Sequence, residues 1–179
     1  MKTISRVLAS LVLVATAGVA SAQTAAKDFY AEGGLASTKV TDVGVNVTPV
    51  TARVTLGKNI NDNLAVEGIY FATASKDSLM FNNVNIDIGI SGYGAYLKPK
   101  FEVSKGTEVF ARVGYTGVKY TASAGNVSVT GSTVNSLSYG VGIQTEINSD
   151  WYAQADYMML SKKDGTTAKG IGVSVGYRF

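Results

Sequence analysis

The residues best suited to chemistry are charged side chains on the polar side of segments that alternate between apolar and polar residues. Carboxylates can move protons or hold a metal ion and arginines can bind anions, but the two types pair when they face each other. The candidates are Glu32, Arg53, Glu67, Arg112, Glu146, Asp156 and Arg178. One catalytic arrangement among them is a carboxylate pair such as Glu67 with Asp156. Facing arginines would lower the proton affinity of such a pair, which disfavours a general acid.

The chain contains no histidine and no cysteine. Histidine is the commonest general base and the commonest protein metal ligand, so both roles lack their usual residue. We therefore predict no enzyme activity, no cofactor and no metal site. Without cysteine, an exported chain has to be held by backbone hydrogen bonds and packing rather than by disulfides.

A period of two places these charges on β-strands, because successive side chains of an extended chain point to opposite faces. The pattern is clearest at the end of the chain, where Ile171, Val173, Val175, Tyr177 and Phe179 share one face. The same period predicts eight strands near 28–37, 50–58, 64–73, 84–98, 107–120, 135–147, 151–160 and 169–179.

The two faces of these strands differ sharply in charge. The apolar faces carry no charged residue, and every arginine after Arg6 falls on the polar face. In the fourth predicted strand the apolar face is assigned to Ile86, Ile88, Ile90 and Tyr96, and the polar face to Asp87 and Ser91.

Three observations indicate a barrel with its apolar face toward lipid and a polar interior, rather than a soluble barrel with the reverse polarity. The polar faces are rich in Gly, Ser, Thr and Gln, and such residues suit the narrow interior of eight strands. Lysines cluster in predicted loops or near strand ends, among them Lys39, Lys98, Lys162 and Lys169. Aromatic residues lie near the ends of the apolar faces, as in interfacial girdles. They are Phe29, Tyr96, Trp151, Tyr177 and Phe179 toward one rim, and Tyr70, Tyr115 and Tyr157 toward the other.

The connections between predicted strands alternate in length. Short turns are predicted at 58–63, 101–106 and 148–150, and longer segments at 38–49, 74–83, 121–134 and 161–168. Short periplasmic turns and long extracellular loops would place both termini of the barrel domain in the periplasm. The long segments alternate as well, so the strands are expected to continue into them as hairpins.

The first 22 residues are predicted to be a signal peptide. Lys2 and Arg6 precede an apolar run, and Ala20-Ser21-Ala22 has the small residues that signal peptidase accepts, which predicts cleavage after Ala22. The run is too short for a transmembrane helix, which needs about 20 apolar residues. Two of the 16 basic residues lie in this segment, which leaves 14 against 13 acidic residues. That balance gives no electrostatic basis for nucleic-acid binding.

Several strand sequences resemble those of the OmpA-like eight-stranded outer membrane β-barrels, also called porin-family or outer membrane protein β-barrel domains. They are FYAEGGL (29–35), LAVEGIY (64–70), VFARVGY (109–115), YGVGI (139–143) and GYRF (176–179). The resemblance covers residues 23–179 and implies one antiparallel up-and-down transmembrane β-barrel in the outer membrane of a Gram-negative bacterium. It does not include the periplasmic peptidoglycan-binding domain of OmpA, so peptidoglycan anchoring is not expected.

The resemblance also implies roles for particular residues. The seven charged candidates would form an arginine–carboxylate network that fills the lumen, and Tyr177 with Phe179 would form a C-terminal assembly signal. The implied partners are outer membrane lipid and lipopolysaccharide, periplasmic chaperones and the barrel-assembly machinery. Enzymes among such barrels use a histidine, which this chain lacks.

Three functions remain open at this point. The first is a structural and surface-interaction protein whose loops support envelope integrity or contact an unidentified extracellular ligand. The second is a narrow porin-like channel for ions or small solutes. The third is a soluble lipocalin-like binder in the periplasm.

Overall fold

The chain forms a closed antiparallel barrel in a computed structural model that describes residues 27–42, 45–81, 84–124, 127–163 and 165–179. The predicted signal peptide, residues 1–22, lies outside the described residues. The strands are β1 (Phe29–Asp42), β2 (Val45–Val47), β3 (Val50–Asn61), β4 (Leu64–Ser75), β5 (Asp77–Phe81), β6 (Val84–Ser104), β7 (Thr107–Ala124), β8 (Val127–Thr130), β9 (Val134–Glu146), β10 (Trp151–Lys163) and β11 (Thr166–Arg178).

Eight of these strands form the wall of the barrel, in the order β1, β3, β4, β6, β7, β9, β10 and β11. Each pairs antiparallel with its neighbour in the chain, and β1 closes the ring against β11, from Tyr30 opposite Arg178 to Thr41 opposite Thr167. The prediction of an eight-stranded antiparallel up-and-down barrel is therefore confirmed. Among the described residues, no helix is long and apolar enough to cross a membrane.

The two ends of the barrel differ in the length of their connections. At what we call the turn end, β3–β4, β6–β7 and β9–β10 are joined by short turns, and Gly106 adopts a φ of +73° that favours glycine. At the opposite loop end, strands run on as hairpins, as the alternation of the long segments predicts. There β5, β6, β7 and β8 pair side by side into a four-stranded sheet that extends the wall.

The outer surface is apolar and the interior is filled. Along β9, for example, Leu137, Tyr139, Val141 and Ile143 are about half exposed, whereas Ser138 between them is fully buried. Water-exposed walls of soluble barrels have the opposite pattern. The predicted polarity, apolar toward lipid and polar toward the axis, is the one observed for these residues.

The face assignment of the fourth predicted strand is wrong. In β6, Tyr93 and Leu97 point outward, while Ile90 and Tyr96 are buried inside the barrel at 2% and 4% exposure. Tyr96 therefore does not belong to the aromatic girdle, and its hydroxyl bonds Thr116 inside the lumen. The reason is that β6 carries apolar residues at both odd and even positions, so that its alternation does not define which face is inside.

Candidate functional site

The centre of the lumen contains a compact group of buried ion pairs. Arg112, on β7, donates from Nε to Glu67 Oε2 (2.5 Å) and from Nη2 to Glu67 Oε1 (3.0 Å). The same guanidinium donates to Asp156 Oδ2 (2.7 Å) and to Glu32 Oε2 (3.2 Å). One planar fork thus joins carboxylates from β1, β4 and β10, a task that arginine geometry suits and lysine geometry does not.

A second arginine completes this arrangement on the other side of Asp156. Arg53 donates from Nη1 to Asp156 Oδ1 (3.0 Å) and from Nη2 to Asp156 Oδ2 and to Ser174 Oγ (3.0 Å). A Cβ atom at Gly172 would lie 2.9 Å from Asp156 Oδ1 and 3.1 Å from Arg53 Nη2. The glycine on β11 therefore leaves the space that this ion pair occupies.

Lys98 belongs to the same group, although it was predicted near a strand end with the other lysines. It is 1% exposed, and its Nζ lies 3.2 Å from Glu67 Oε1 and 3.4 Å from Glu32 Oε1. The ammonium also lies 4.4 Å from the centre of the Phe110 ring and 5.2 Å from that of Tyr30, within the range of cation–π attraction. The signal that would have revealed it is the outward series Tyr93, Ala95 and Leu97, which turns Lys98 inward.

Together these side chains form what we call the ionic layer, which consists of Glu32, Arg53, Glu67, Lys98, Arg112 and Asp156. It contains three carboxylates and three cations, so its formal charges cancel. Further donors satisfy the carboxylates: the hydroxyls of Tyr30 and Tyr152 bond Glu67 and Glu32 at 2.7 Å each. Buried charges are tolerated when they are paired and hydrogen-bonded in this way.

Glu146 and Arg178 do not join the ionic layer. Arg178 Nη1 bonds Glu146 Oε1 at 2.5 Å, and the Glu146 side chain is 45% exposed at the turn end. The guanidinium of Arg178 stacks over the Tyr152 ring at 4.9 Å. Of the seven charged residues predicted to meet in the lumen, the structure brings five together and places these two in a separate pair at the rim.

An apolar layer closes the lumen on the loop-end side of the ionic layer. No pattern in the sequence separated these residues from the lipid-facing ones. It is a single cluster of buried side chains, formed by Val40, Val47, Ile69, Phe71, Ile90, Tyr96, Val118, Met158, Leu160 and Ala168.

The chemistry available to this interior is limited. Arg112 contacts all three carboxylates of the ionic layer, so each of them is held in an ion pair inside the barrel. No group of His, Cys, Asp or Glu side chains within the described residues could hold a metal ion. These paired side chains fill the centre of the barrel.

The sequence matches the model of the outer membrane protein beta-barrel domain over residues 7–179. The chain belongs to this family. A location in the outer membrane follows from that membership. No curated protein sequence matches the chain.

Solved structures of small outer membrane proteins share the fold of this family member. Neisserial surface protein A is 15% identical, covers 88% of this chain and 100% of its own, and superposes with a TM-score of 0.72. Ail, the attachment invasion locus protein of Yersinia pestis, is 21% identical with coverage of 85% and 98% and a TM-score of 0.61. It also has a structure in complex with the heparin analogue sucrose octasulfate. OprG of Pseudomonas aeruginosa is 10% identical, with coverage of 85% and 96% and a TM-score of 0.55.

Proposed function

We propose that this outer membrane barrel is a structural and surface-interaction protein. In this proposal the filled barrel is a rigid support, and the hairpins at the loop end make contacts outside the cell. The relatives in the comparison include an attachment and invasion protein, which is consistent with a surface role.

The observation that carries this proposal is the double filling of the lumen. A channel needs a continuous path lined by water, whereas here six charged side chains occupy one level and ten buried, mainly apolar side chains the next. Because the charges of the ionic layer cancel, the lumen also has no net charge at this level that would attract an ion. Both features favour a support over a porin-like channel.

Conductance in planar bilayers tests the proposal against the channel alternative. The purified, heat-modifiable barrel is expected to give no stable current steps in potassium chloride, while a pore-forming peptide added afterwards shows that the bilayer can record them. Reproducible steps of constant size from the wild-type barrel would contradict the proposal and favour the channel.

The loop-end sheet is the surface that we propose to make contacts. Val127 and Val129 on β8 are about two-thirds exposed, and Met80 on β5 is 76% exposed. Replacing Thr121–Val134 by a short polar linker should leave the heat-modifiability of the barrel unchanged and abolish only the surface contacts. Loss of the folded form would contradict this division between support and contact surface.

The proposal requires the loop end to face the cell exterior. Because the chain has no cysteine, a single Val127→Cys substitution creates a unique target for a membrane-impermeant maleimide. Intact cells should label at this position, and a Lys105→Cys variant at the turn end should label only after the outer membrane is permeabilised. The reverse pattern would overturn the orientation.

We also propose that the C-terminal aromatic residues guide assembly through the barrel-assembly machinery. The rings of Tyr177 and Phe179 stack with centres 6.3 Å apart, and Phe179 packs against Phe29 at 6.4 Å on the first strand. Phe179→Ala should slow the appearance of the heat-modifiable form in cells more than in detergent refolding. Equal effects in both would assign Phe179 a role in stability alone.

A further inference from the structure

Two lysines on neighbouring strands face each other on the outside of the wall. Lys39 on β1 lies directly opposite Lys169 on β11. Directly opposed side chains of an antiparallel pair have Cβ atoms about 5 Å apart, and like charges there are destabilising. The ion pairs of the described part of the chain include neither lysine, so the two ammonium groups face each other with no ion pair recorded for either.

A third lysine extends this pair to one strand further. Thr167 on β11 pairs with Thr41 on one side and with Lys162 on β10 on the other. Lys162 therefore lies one row beyond Lys169 on the outer surface; Lys162 is exposed and Lys169 is half-buried. We call Lys39, Lys162 and Lys169 the lysine cluster.

The lysine cluster lies at the edge of the apolar outer band. Along β11, Lys169 is followed on the outer face by Ile171, Val173 and Val175, all of which are about half exposed or more. From Lys169 to Val175 the strand extends about 20 Å at about 3.3 Å per residue. With the usual tilt of about 40° this is a depth of about 15 Å, half of a hydrocarbon core of about 30 Å.

A shallow groove lies within that depth on the same three strands and on the neighbouring β9. Its volume is about 520 Å³, and Val173 and Val175 line it on β11. Gly33 on β1 and Ala153 and Ala155 on β10 give it a floor of small residues. The groove is open to the side that faces lipid and its surface is mainly apolar, as contact with a hydrocarbon chain requires.

We propose that β10, β11 and β1 bind one phosphorylated, acylated lipid, with its phosphate on the lysine cluster and an acyl chain in the groove. Given the orientation proposed above, on which this inference rests, the lipid lies in the outer leaflet and corresponds to the lipid A part of lipopolysaccharide. A phosphate between Lys39 and Lys169 would convert their repulsion into two charge-assisted contacts.

Lysines at a membrane surface also occur without a ligand, because their long side chains reach the aqueous phase. Lys119 on β7 fits that explanation, since it is exposed and paired with Ser91 rather than with another cation. Lys39 and Lys169 do not fit that explanation, because two lysines can both reach water without lying directly opposite each other. Lys119 therefore provides the control for the cluster.

The test measures binding of bis-phosphorylated lipid A to the full barrel in a non-ionic detergent. Lys39→Gln/Lys169→Gln should bind at least about tenfold more weakly than wild type, since each interfacial cation contributes about 1 kcal/mol. Lys76→Gln/Lys119→Gln removes the same charge elsewhere at the loop end and should stay within about twofold. Equal affinity of the two double variants would overturn the proposal.

Two further comparisons identify the ligand and the groove. Dephosphorylated lipid A should bind wild type as weakly as bis-phosphorylated lipid A binds the cluster variant, and phosphatidylglycerol should also bind weakly. Ala155→Phe, which fills the groove, should weaken lipid A binding, whereas Ala95→Phe on another part of the wall should not. Tight phosphatidylglycerol binding, or no effect of Ala155→Phe, would contradict the proposed lipid or the proposed groove.

These readouts are independent of the tests of the proposed function. Lysine-dependent binding of lipid A in detergent does not depend on orientation or conductance, and heat-modifiability confirms that each variant is folded. If cysteine labelling places the loop end in the periplasm while binding persists, the orientation is wrong and the binding site stands. If cysteine labelling places the loop end outside the cell but lipid A does not bind, the proposed lipid site is wrong and the proposed orientation stands.

Discussion

The ionic layer and the apolar layer fill the same narrow tube in opposite ways. In the ionic layer, Arg112 and its partners form bonds of fixed direction between distant strands. In the apolar layer, side chains such as Phe71 and Val118 pack without directional bonds. Directional bonds specify which strands lie across the lumen from one another, whereas close apolar packing excludes water. Strand register and the exclusion of water are therefore provided by different parts of one interior.

The largest loss of stability is expected from removing the centre of the ionic layer. Arg112→Met leaves Glu32, Glu67 and Asp156 with too few cations, and losing one partner of a buried ion pair costs about 3–5 kcal/mol. The free energy of unfolding in lipid vesicles, measured by denaturant titration, should fall by that amount. A loss below about 1 kcal/mol would show that water or rearrangement compensates the charges.

The next largest effect comes from placing a cation at the depth of the ionic layer but outside the wall. Val173 lies opposite Leu35, beside the Arg53 and Asp156 positions, and is 59% exposed to lipid. Val173→Arg should cost about 2–4 kcal/mol near the membrane midplane. Ser37→Arg, closer to the surface, is the matched control, with an expected cost of about 0–1 kcal/mol. Refolding yield and unfolding free energy in vesicles distinguish the two, and equal costs would contradict the inferred depth.

A smaller loss of unfolding free energy is expected from a polar substitution in the apolar layer. Val118 is fully buried there, and Val118→Thr replaces one of its methyl groups by a hydroxyl of similar size. Without a hydrogen-bond partner this should cost about 1–3 kcal/mol in the same titration. The reciprocal variant Thr116→Val, which removes a bond to Tyr96, should cost about 0.5–1.5 kcal/mol. A neutral Val118→Thr would mean that the apolar layer admits water.

The smallest expected effect is at the rim. Arg178→Met removes the exposed pair with Glu146, and exposed pairs contribute about 0–1 kcal/mol. The unfolding free energy should therefore change far less than in Arg112→Met, although both variants remove one arginine. A comparable loss of unfolding free energy in the two variants would show that the pair at the rim contributes as much to stability as the ionic layer.

The strands were predictable from sequence because one outer face has to meet lipid throughout. Strands such as β9 and β11 alternate along nearly their full length. The predicted starts of all eight strands lie within three residues of the observed ones, but β6 runs six residues past its predicted end, into the predicted turn at 101–106. The bounds at the loop end were too short because the hairpins continue beyond the membrane. In those hairpins, neither face of a strand has to be apolar, so the residue pattern does not show where a strand ends.

The interior was predictable only where it is polar. Arginines and carboxylates with period two identified five residues of the ionic layer, because a charge cannot face lipid at that depth. The apolar layer was missed because Ile90 or Val118 inside the lumen has the same composition as a residue outside it. In β6 this ambiguity reversed the assigned face, and with it the position of Lys98.

The pairing of Tyr30 with Arg178 has a consequence for how the barrel is made. In the ring, β1 pairs with β3 on one side and with β11 on the other, so its second neighbour reaches it only after the other strands of the wall have been made. Until then, β1 and the growing edge of the sheet expose unpaired peptide groups. Hydrocarbon offers such groups no partner, which forbids a half-built sheet from entering the bilayer alone. A factor that protects the unfinished chain therefore has to cover or pair with two free strand edges at once. It can dissociate only when β1 and β11 have paired.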